Sequence, residues 1–449
     1  MNIHFIGIGG ISMSGLASIC LERGDIVSGS DNNDTAITKA LERQGATIHL
    51  GHRAENINED IDLVIYTAAI RHDNPELVRA NELGIKILNR AIFLGQLMDR
   101  YPNAIAVSGT HGKTSTTSML STIYMYAGLD PTISVGGNLR QIGGNYHVGD
   151  GHYFITEACE YVDSFFSLNP KYAIILNIEH EHIDYFKDID QVIRSFKNFA
   201  GHVPSDGKII ANGDDENVRK ALDGSSNVIY FGFGDQNDCV ISNVSVLSFG
   251  SSFDLTLHGK DLGSFTINVI GNFNILNATA SILCAYANGL TVESIRQGIL
   301  QYHGVGRRFE KKGQFSGAIV YDDYAHHPSE VKATLSAANK LEKNRLITIF
   351  QPHTFSRTFS LMDQFVESFD DTDILILTDV YPSREIDTGY VHSTDLFEKL
   401  HHRKDQVYYI GEKNDVIDFL RKNVQDNDII LTMGAGDIYK VSEYITSEK

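Results

Sequence analysis

Residues 104–126 read AIAVSGTHGKTSTTSMLSTIYMY, and this stretch decides the fold. Ala104–Val107 is a short apolar, strand-like run, Ser108-Gly109-Thr110-His111-Gly112-Lys113-Thr114 follows it, and Ser115–Tyr126 reads as a helix. A glycine loop between a strand and a helix offers backbone N–H groups to phosphates. Its lysine reaches the terminal phosphates and its threonine hydroxyl suits Mg²⁺. The loop has the short GTxGK[ST] form, with Val107 where the longer P-loop consensus has its first glycine. Gly109, Thr110, His111, Gly112, Lys113, Thr114 and Ser115 are therefore candidate ATP-binding residues.

Outward from this loop, apolar runs alternate with amphipathic stretches. The runs include Leu63–Tyr66, Ala173–Leu176, Leu346–Phe350, Ile374–Leu377 and Ile429–Thr432. This is the βα alternation of helix-covered parallel sheets, an α/β class. It falls into three blocks, residues 1–98, 99–310 and 311–449, with residues 237–270 reading instead as meandering strands. The expected linkers are Arg100–Asn103 and the charged stretch Arg307–Gly313. A length of 449 residues fits two or three domains.

A second phosphate loop opens the chain. Gly7-Ile8-Gly9-Gly10 follows the strand-like Ile3–Ile6 and precedes a helix expected over Met13–Arg23, and Asp31 ends the next strand. Glycines there let the backbone approach a diphosphate, and an acid at Asp31 can read a ribose. A tight turn without a ligand is the alternative. This loop has no lysine and suits a diphosphate held as a substrate handle, whereas Lys113 and Thr114 suit ATP-Mg²⁺. An enzyme that activates a nucleotide-linked substrate with ATP needs both.

Acids and histidines follow the other strands. Glu157 closes Tyr153–Thr156, at a position that suits a Mg²⁺ ligand. Asn177-Ile178-Glu179-His180-Glu181-His182-Ile183-Asp184 closes the next strand, and His180 and His182 alternate as on one strand face. A zinc set from His180, His182 and Glu181 is one alternative and a solvated loop another; the oxygen-rich surroundings favour Mg²⁺. Asn274 and Asn277 share a helix face and suit either caps or a nucleotide. Asp322-Asp323-Tyr324-Ala325-His326-His327-Pro328, Gln351–Arg357 and Gly434–Asp437 all lie at strand ends, where open α/β sheets place their sites.

Composition excludes several classes. With 57 acidic and 38 basic residues the formal net charge is −19, against nucleic acid or anionic membrane as the main partner. No apolar run approaches the roughly 18 residues of a membrane span. Cys20, Cys159, Cys239 and Cys284 follow no metal spacing and read as reduced thiols of a cytoplasmic protein. Met1 runs almost directly into a strand, without a signal peptide.

Together these segments resemble the Mur ligases over essentially the whole chain. GIGG and MSG (7–10, 13–15), SGTHGKTS (108–115), EACE (157–160), NIEHEHIDYF (177–186), GNFNILNA (271–278), GRRF (306–309), DDYAHHPSE (322–330), QPHTFSRT (351–358) and MGAGDI (433–438) carry the resemblance. It implies a Rossmann-like UDP-binding N-terminal domain, a central P-loop-type ATPase domain with a mostly parallel sheet, and a Rossmann-like C-terminal domain that receives an amino acid. It further implies ATP-dependent coupling of L-alanine to UDP-N-acetylmuramate through an acyl phosphate. The expected protein is a monomer or homodimer that uses Mg²⁺ or Mn²⁺. By motif, Lys113, Glu157, His182, Arg308 and His326 would be catalytic. Thr114, Glu157 and His182 would hold metal, and Asn274, Asn277, Arg308 and Asp323 the nucleotide. Gly7, Gly9, Gly10, Ser12 and Asp31 would hold the UDP-sugar, and His353 and Arg357 the amino acid.

Ser12 replaces a glycine often seen in the first loop, EACEYVD replaces EADESD, and Thr354 stands where many members have arginine. Some relatives carry a carbamylated lysine on the helix after the histidines. Lys197 has comparable spacing and reads here as structural. The alternatives are a murein peptide ligase that attaches a tripeptide, a catalytically silent UDP-sugar sensor, and a plain P-loop kinase or ATPase.

Overall fold

The computed structural model describes residues 1–447 apart from Ala68, Ile183, Asp184, Ser248, Phe249 and Arg384, and of Arg140 it describes the backbone alone. Asp184 of the histidine segment thus lies outside the described residues.

The chain builds three α/β domains, each on its own sheet. The first has β1 (Asn2–Ile6), α1 (Ile11–Glu22), β2 (Ile26–Asp31), α2 (Ala36–Arg43), β3 (Thr47–Leu50), β4 (Leu63–Tyr66), α3 (Pro75–Glu82), β5 (Lys86–Asn89) and α4 (Arg90–Met98). All five strands are parallel, in the order β3-β2-β1-β4-β5. The order reverses at β1, so the Gly7 loop at its carboxyl end stands at the switch point where such sheets hold ligands.

The central domain has β6 (Asn103–Ser108), α5 (Lys113–Tyr126), β7 (Thr132–Leu139), β8 (Gly144–His147), β9 (Tyr153–Glu157) and β10 (Tyr172–Ile175). It continues through α6 (Ile189–Ala200), β11 (Lys208–Asn212), α7 (Glu216–Ala221) and β12 (Val228–Gly232). The expected meander is β13 (Cys239–Leu247), β14 (Gly250–Leu257) and β15 (Lys260–Ile267), followed by α8 (Asn272–Ala287) and α9 (Val292–Leu300). The sheet order is β15-β14-β13-β12-β11-β10-β6-β9-β7-β8. β6 lies between β10 and β9, parallel to both, so the ends of these three strands stand side by side. α5 is buried although rich in hydroxyls; Ser121 and Thr122 donate theirs to the Thr117 and Ser118 carbonyls one turn back.

These two domains share one hydrophobic core. Phe5 and Leu16 of the first, Leu94 and Met98 of α4, and Phe154, Phe165 and Phe199 of the second belong to a single buried cluster. At Gly95 an added Cβ would stand 1.9 Å from the Ser167 carbonyl oxygen, so only glycine allows this approach. Residues 1–245, 252–268 and 275–303 accordingly form one compact unit, and residues 304–449 form a second with the short segments 246–251 and 269–274.

The third domain has β16 (Glu310–Phe315), β17 (Ala318–Asp323), α10 (Pro328–Asn339), β18 (Leu346–Phe350), α11 (Phe355–Ser360), α12 (Met362–Val366) and β19 (Ile374–Leu377). It ends with α13 (Ser393–His401), β20 (Val407–Tyr409), α14 (Lys413–Asn423), β21 (Ile429–Met433) and α15 (Tyr439–Ser447), and its sheet order is β16-β17-β21-β18-β19-β20. The stretch 307–313 is a linker only at its start; from Glu310 it is an edge strand antiparallel to β17, with a bulge between Lys311 and Gly313. Its charges made it read as a linker, yet edge strands carry charge to discourage further pairing.

Beneath the Gly7 loop lies a polar knot. Glu76 is buried on α3 and accepts hydrogen bonds from Ser30 (2.6 Å) and Asn56 (2.7 Å), with His52 Nδ1 at 3.0 Å and His4 Nε2 at 3.5 Å. Burial pushes the Glu76 carboxyl up, but His4, Ser30 and Asn56 outweigh it and hold it at about 2 against an ordinary 4.5. A depressed carboxyl contributes stability above its unfolded value and loses it as pH falls toward its folded value. The first unit should therefore lose about 3 kcal/mol between pH 4.5 and pH 2 through this group. Urea midpoints against pH should fall more steeply for the native chain than for Glu76→Gln, and equal slopes would contradict the assignment.

Candidate active site

The central phosphate loop is shaped by two left-handed glycines, Gly109 at φ 139° and Gly112 at φ 85°. Gly112 caps α5, and an added Cβ there would lie 2.6 Å from Asn277 Oδ1. The segment after β10 clamps the loop from the other side. The His111 amide donates to Asn177 Oδ1 (2.7 Å), the Thr110 amide to the Asn177 carbonyl (3.0 Å), and the Glu179 amide to Thr110 Oγ1 (2.9 Å). The loop is thus pinned to Asn177 and Glu179, and the first amides of α5 follow at its end.

Lys113 folds back over this loop. Its ammonium donates to the Gly109 and Thr110 carbonyls and to both carboxylate oxygens of Glu160, at 2.9 and 3.2 Å. Glu160 also faces His182 Nε2 at 3.5 Å. Burial alone would lower the Lys113 pKa, but Glu160 outweighs it and holds it above the usual value. Burial would raise Glu160, and Lys113 and His182 together hold it low. Glu157, opposite Val107 on β9, accepts the Gly136 amide at 2.6 Å. Glu157, Thr114, Lys113, His182 and Asn277 are therefore gathered around one loop.

The histidine segment departs from its expected form. β10 ends at Ile175, and His182 has φ 56°, so His180 and His182 do not share a strand face. His180 Nε2 pairs with the Phe186 carbonyl (3.1 Å), while His182 turns to Glu160 and lies 4.7 Å from the Tyr161 ring. The positive φ separates side chains that strict alternation would align. Lys197 is exposed on α6, and it is Ser195 on the buried face that bonds Asp163. Asn274 Nδ2, inside the first turn of α8, donates to the Ile270 carbonyl four residues back (2.8 Å).

At the first loop the Ser30 carbonyl accepts the Gly7 and Ile8 amides at 2.8 and 3.0 Å. Asp31 braces the turn, accepting the Gly9 amide on one oxygen (3.0 Å) and the Asn33 amide on the other (3.1 Å). Ser12 accepts from Arg90 Nη1 at 3.0 Å. Arg90 therefore brings to the lysine-free loop a cation that sequence reasoning missed. It starts α4, far along the chain, and only the β1–β4–β5 order brings it near.

In the third domain β17, β21 and β18 end side by side. Asp323 accepts the Phe309 amide (2.6 Å) and the Ala325 amide (2.7 Å). Burial raises its carboxyl to about 6 against the pull of Arg308. Arg308 lies over the Tyr324 ring and 3.9 Å from Glu330. His326 Nδ1 lies 3.0 Å from the Tyr324 carbonyl oxygen and 3.3 Å from Glu330, with its ring 5.7 Å from that of His353. Arg357 Nη1 meets His353 Nδ1 at 3.0 Å and the His353 carbonyl at 3.2 Å. Thr354, at φ 66°, caps α11. Tyr381, which no motif marks, stacks on His353 at 5.7 Å.

Residues 2–102 match the Mur ligase family catalytic domain, 107–285 the Mur ligase middle domain, and 307–436 the Mur ligase glutamate ligase domain. The chain is 48% identical over 451 residues to the UDP-N-acetylmuramate–L-alanine ligase of Acetivibrio thermocellus, covering 100% of this chain and 96% of the relative. The chain belongs to the Mur ligase family. The corresponding ligase of Caldanaerobacter subterraneus is 46% identical over 448 residues, covering 99% and 97% of the two chains. Among solved structures, the Thermotoga maritima UDP-N-acetylmuramate–alanine ligase superposes with a TM-score of 0.85 at 28% identity, covering 99% of this Mur ligase and 98% of that chain. A murein peptide ligase from Psychrobacter arcticus gives 0.71 at 25% identity, covering 99% and 98%.

Thr114 and Glu157 offer oxygen donors of the kind a hard divalent cation takes. The Thr114 hydroxyl and the Glu157 carboxylate lie at adjoining elements beside the phosphate loop, with His182 on the next strand's exit. The four cysteines are free; three are buried and Cys159 is partly so. Among the described residues no helix is long and apolar enough to cross a membrane.

Proposed function

We propose that this Mur ligase joins L-alanine to the carboxylate of UDP-N-acetylmuramate using ATP, giving UDP-N-acetylmuramoyl-L-alanine, ADP and phosphate. The observation that carries the reading is the presence of two phosphate loops in one compact unit, one with Lys113 and one without a lysine of its own. The full-length identity to UDP-N-acetylmuramate–L-alanine ligases supports it. The higher TM-score to the alanine ligase than to the murein peptide ligase favours free alanine over a tripeptide.

In this reading Gly7, Gly9 and Gly10 offer the diphosphate a close backbone, with Ser12, Asp31 and Arg90 shaping that loop. The amides at the amino end of α5, from Gly112 to Ser115, hold the ATP phosphates, with Gly109, Thr110 and His111 shaping the loop, and Lys113 stabilises charge on the transferring phosphoryl group. Asn274, Asn277, Arg308 and Asp323 are assigned to the nucleotide by their match to the family motifs. The muramate carboxylate takes the phosphoryl group. The alanine amine, oriented by His353 and Arg357 on its carboxylate, attacks the acyl carbon, and the tetrahedral intermediate releases phosphate. His326 is assigned a catalytic role by the same motif match. Thr114, Glu157 and His182 would hold Mg²⁺ or Mn²⁺, which when bound neutralises phosphate charge. ATP and a nucleotide-linked sugar as substrates place the enzyme in the cytoplasm.

The test is ADP release with UDP-N-acetylmuramate and, in turn, L-alanine, glycine, L-serine and a peptidoglycan tripeptide. Turnover should be fastest with L-alanine; turnover with the tripeptide alone would replace this reading by the peptide-ligase one. Activity should also vanish in excess chelator and return with Mg²⁺ or Mn²⁺. Glu157→Ala should raise the Mg²⁺ concentration for half-maximal rate about tenfold or more, as expected for a lost oxygen ligand. An unchanged metal requirement would remove Glu157 from the site.

A further inference from the structure

Glu160 is demanded by neither phosphate-loop motif, yet it is buried at the central site between Lys113 and His182. It is 2% exposed; its Oε2 and Oε1 lie 2.9 and 3.2 Å from Lys113 Nζ, and Oε1 lies 3.5 Å from His182 Nε2. An ammonium has three protons, and Glu160 with the Gly109 and Thr110 carbonyls accounts for them before any phosphate arrives. Drawing Lys113 away to a phosphate would leave this buried carboxylate with His182 alone beside it, which is less stable than the lysine pair. Glu157 adds a second negative charge at the end of the neighbouring strand.

We infer that Glu160 is a positioning residue that couples nucleotide binding to metal binding. Lys113 exchanges Glu160 for a terminal phosphate only when a divalent cation restores the positive charge around that carboxylate. The inference rests on the reading of residues 109–114 as the ATP loop.

The experiment is the equilibrium affinity of the full chain for a non-hydrolysable ATP analogue, in chelator and in Mg²⁺, for the native protein and Glu160→Gln. The variant should bind the metal-free analogue about tenfold more tightly while its affinity in Mg²⁺ moves by about twofold or less, so the metal effect shrinks. A merely structural role would weaken both affinities together, and that result, or an unchanged ratio, overturns the inference. Should Glu160→Gln not fold, Lys113→Met supplies the second test. With its lysine gone, Glu160 should attract a cation, and Mn²⁺ titrated without nucleotide and followed by electron paramagnetic resonance should bind about tenfold more tightly than in the native chain. Unchanged Mn²⁺ affinity overturns the inference. Failure of the native chain to bind the analogue even in Mg²⁺ would instead sink the reading of the loop itself.

Discussion

Replacing Lys113 by alanine is expected to lower turnover about a thousandfold or more while leaving affinity for UDP-N-acetylmuramate within about twofold. The lysine is the cation on the central loop that can follow charge onto the transferring phosphoryl group, and such preorganised donors act mainly on the transition state. The UDP end is assigned to Gly7–Ser12 and Asp31, on a different sheet with its own cation in Arg90. Calorimetric titration with UDP-N-acetylmuramate beside steady-state kinetics separates the two loops. The substitution also strips Glu160 of its partner, so thermal unfolding has to be recorded with it. An equal loss of UDP-sugar affinity in a folded variant would contradict the division of labour.

Arg357→Ala is the second large effect. A zwitterionic amino acid needs a cation for its carboxylate, and arginine offers parallel donors for it. Arg357 lies on α11 against His353, which stacks on Tyr381 and stands beside His326, so four side chains meet at the carboxyl end of β18. Loss of one charged hydrogen bond, about 1.5–3 kcal/mol, corresponds to roughly ten- to over a hundredfold in affinity. The Michaelis constant for alanine should rise by that amount and those for ATP and UDP-N-acetylmuramate should stay near native values. A raised ATP constant with an unchanged alanine constant would place Arg357 at the nucleotide instead.

What was legible in the sequence was whatever is local. The strand, glycine turn and helix at 104–126 carry their geometry in residue type: glycines at 109 and 112 adopt φ values that other residues avoid, and the lysine follows at once. The three-domain α/β organisation was legible for the same reason, because the βα period repeats along the chain. What was not legible depends on strand order. Glu160 meets Lys113 because β9 pairs with β6, and Arg90 reaches Ser12 because α4 follows β5 at the edge of a sheet centred on β1. The divergence of His180 and His182 turned on one left-handed residue, a conformation that histidine seldom adopts and that residue pattern does not announce. At Glu310–Gly313, charge suggested a linker where the sheet has an edge.

In the proposed reaction the carboxylate of UDP-N-acetylmuramate is activated by direct phosphoryl transfer before alanine attacks. The most direct test carries ¹⁸O in that carboxylate and reads the released phosphate by mass spectrometry. With UDP-N-acetylmuramate, ATP and L-alanine present, one carboxylate oxygen should leave in inorganic phosphate and one should stay in the new amide. Phosphate free of ¹⁸O, or label leaving in AMP, would contradict it.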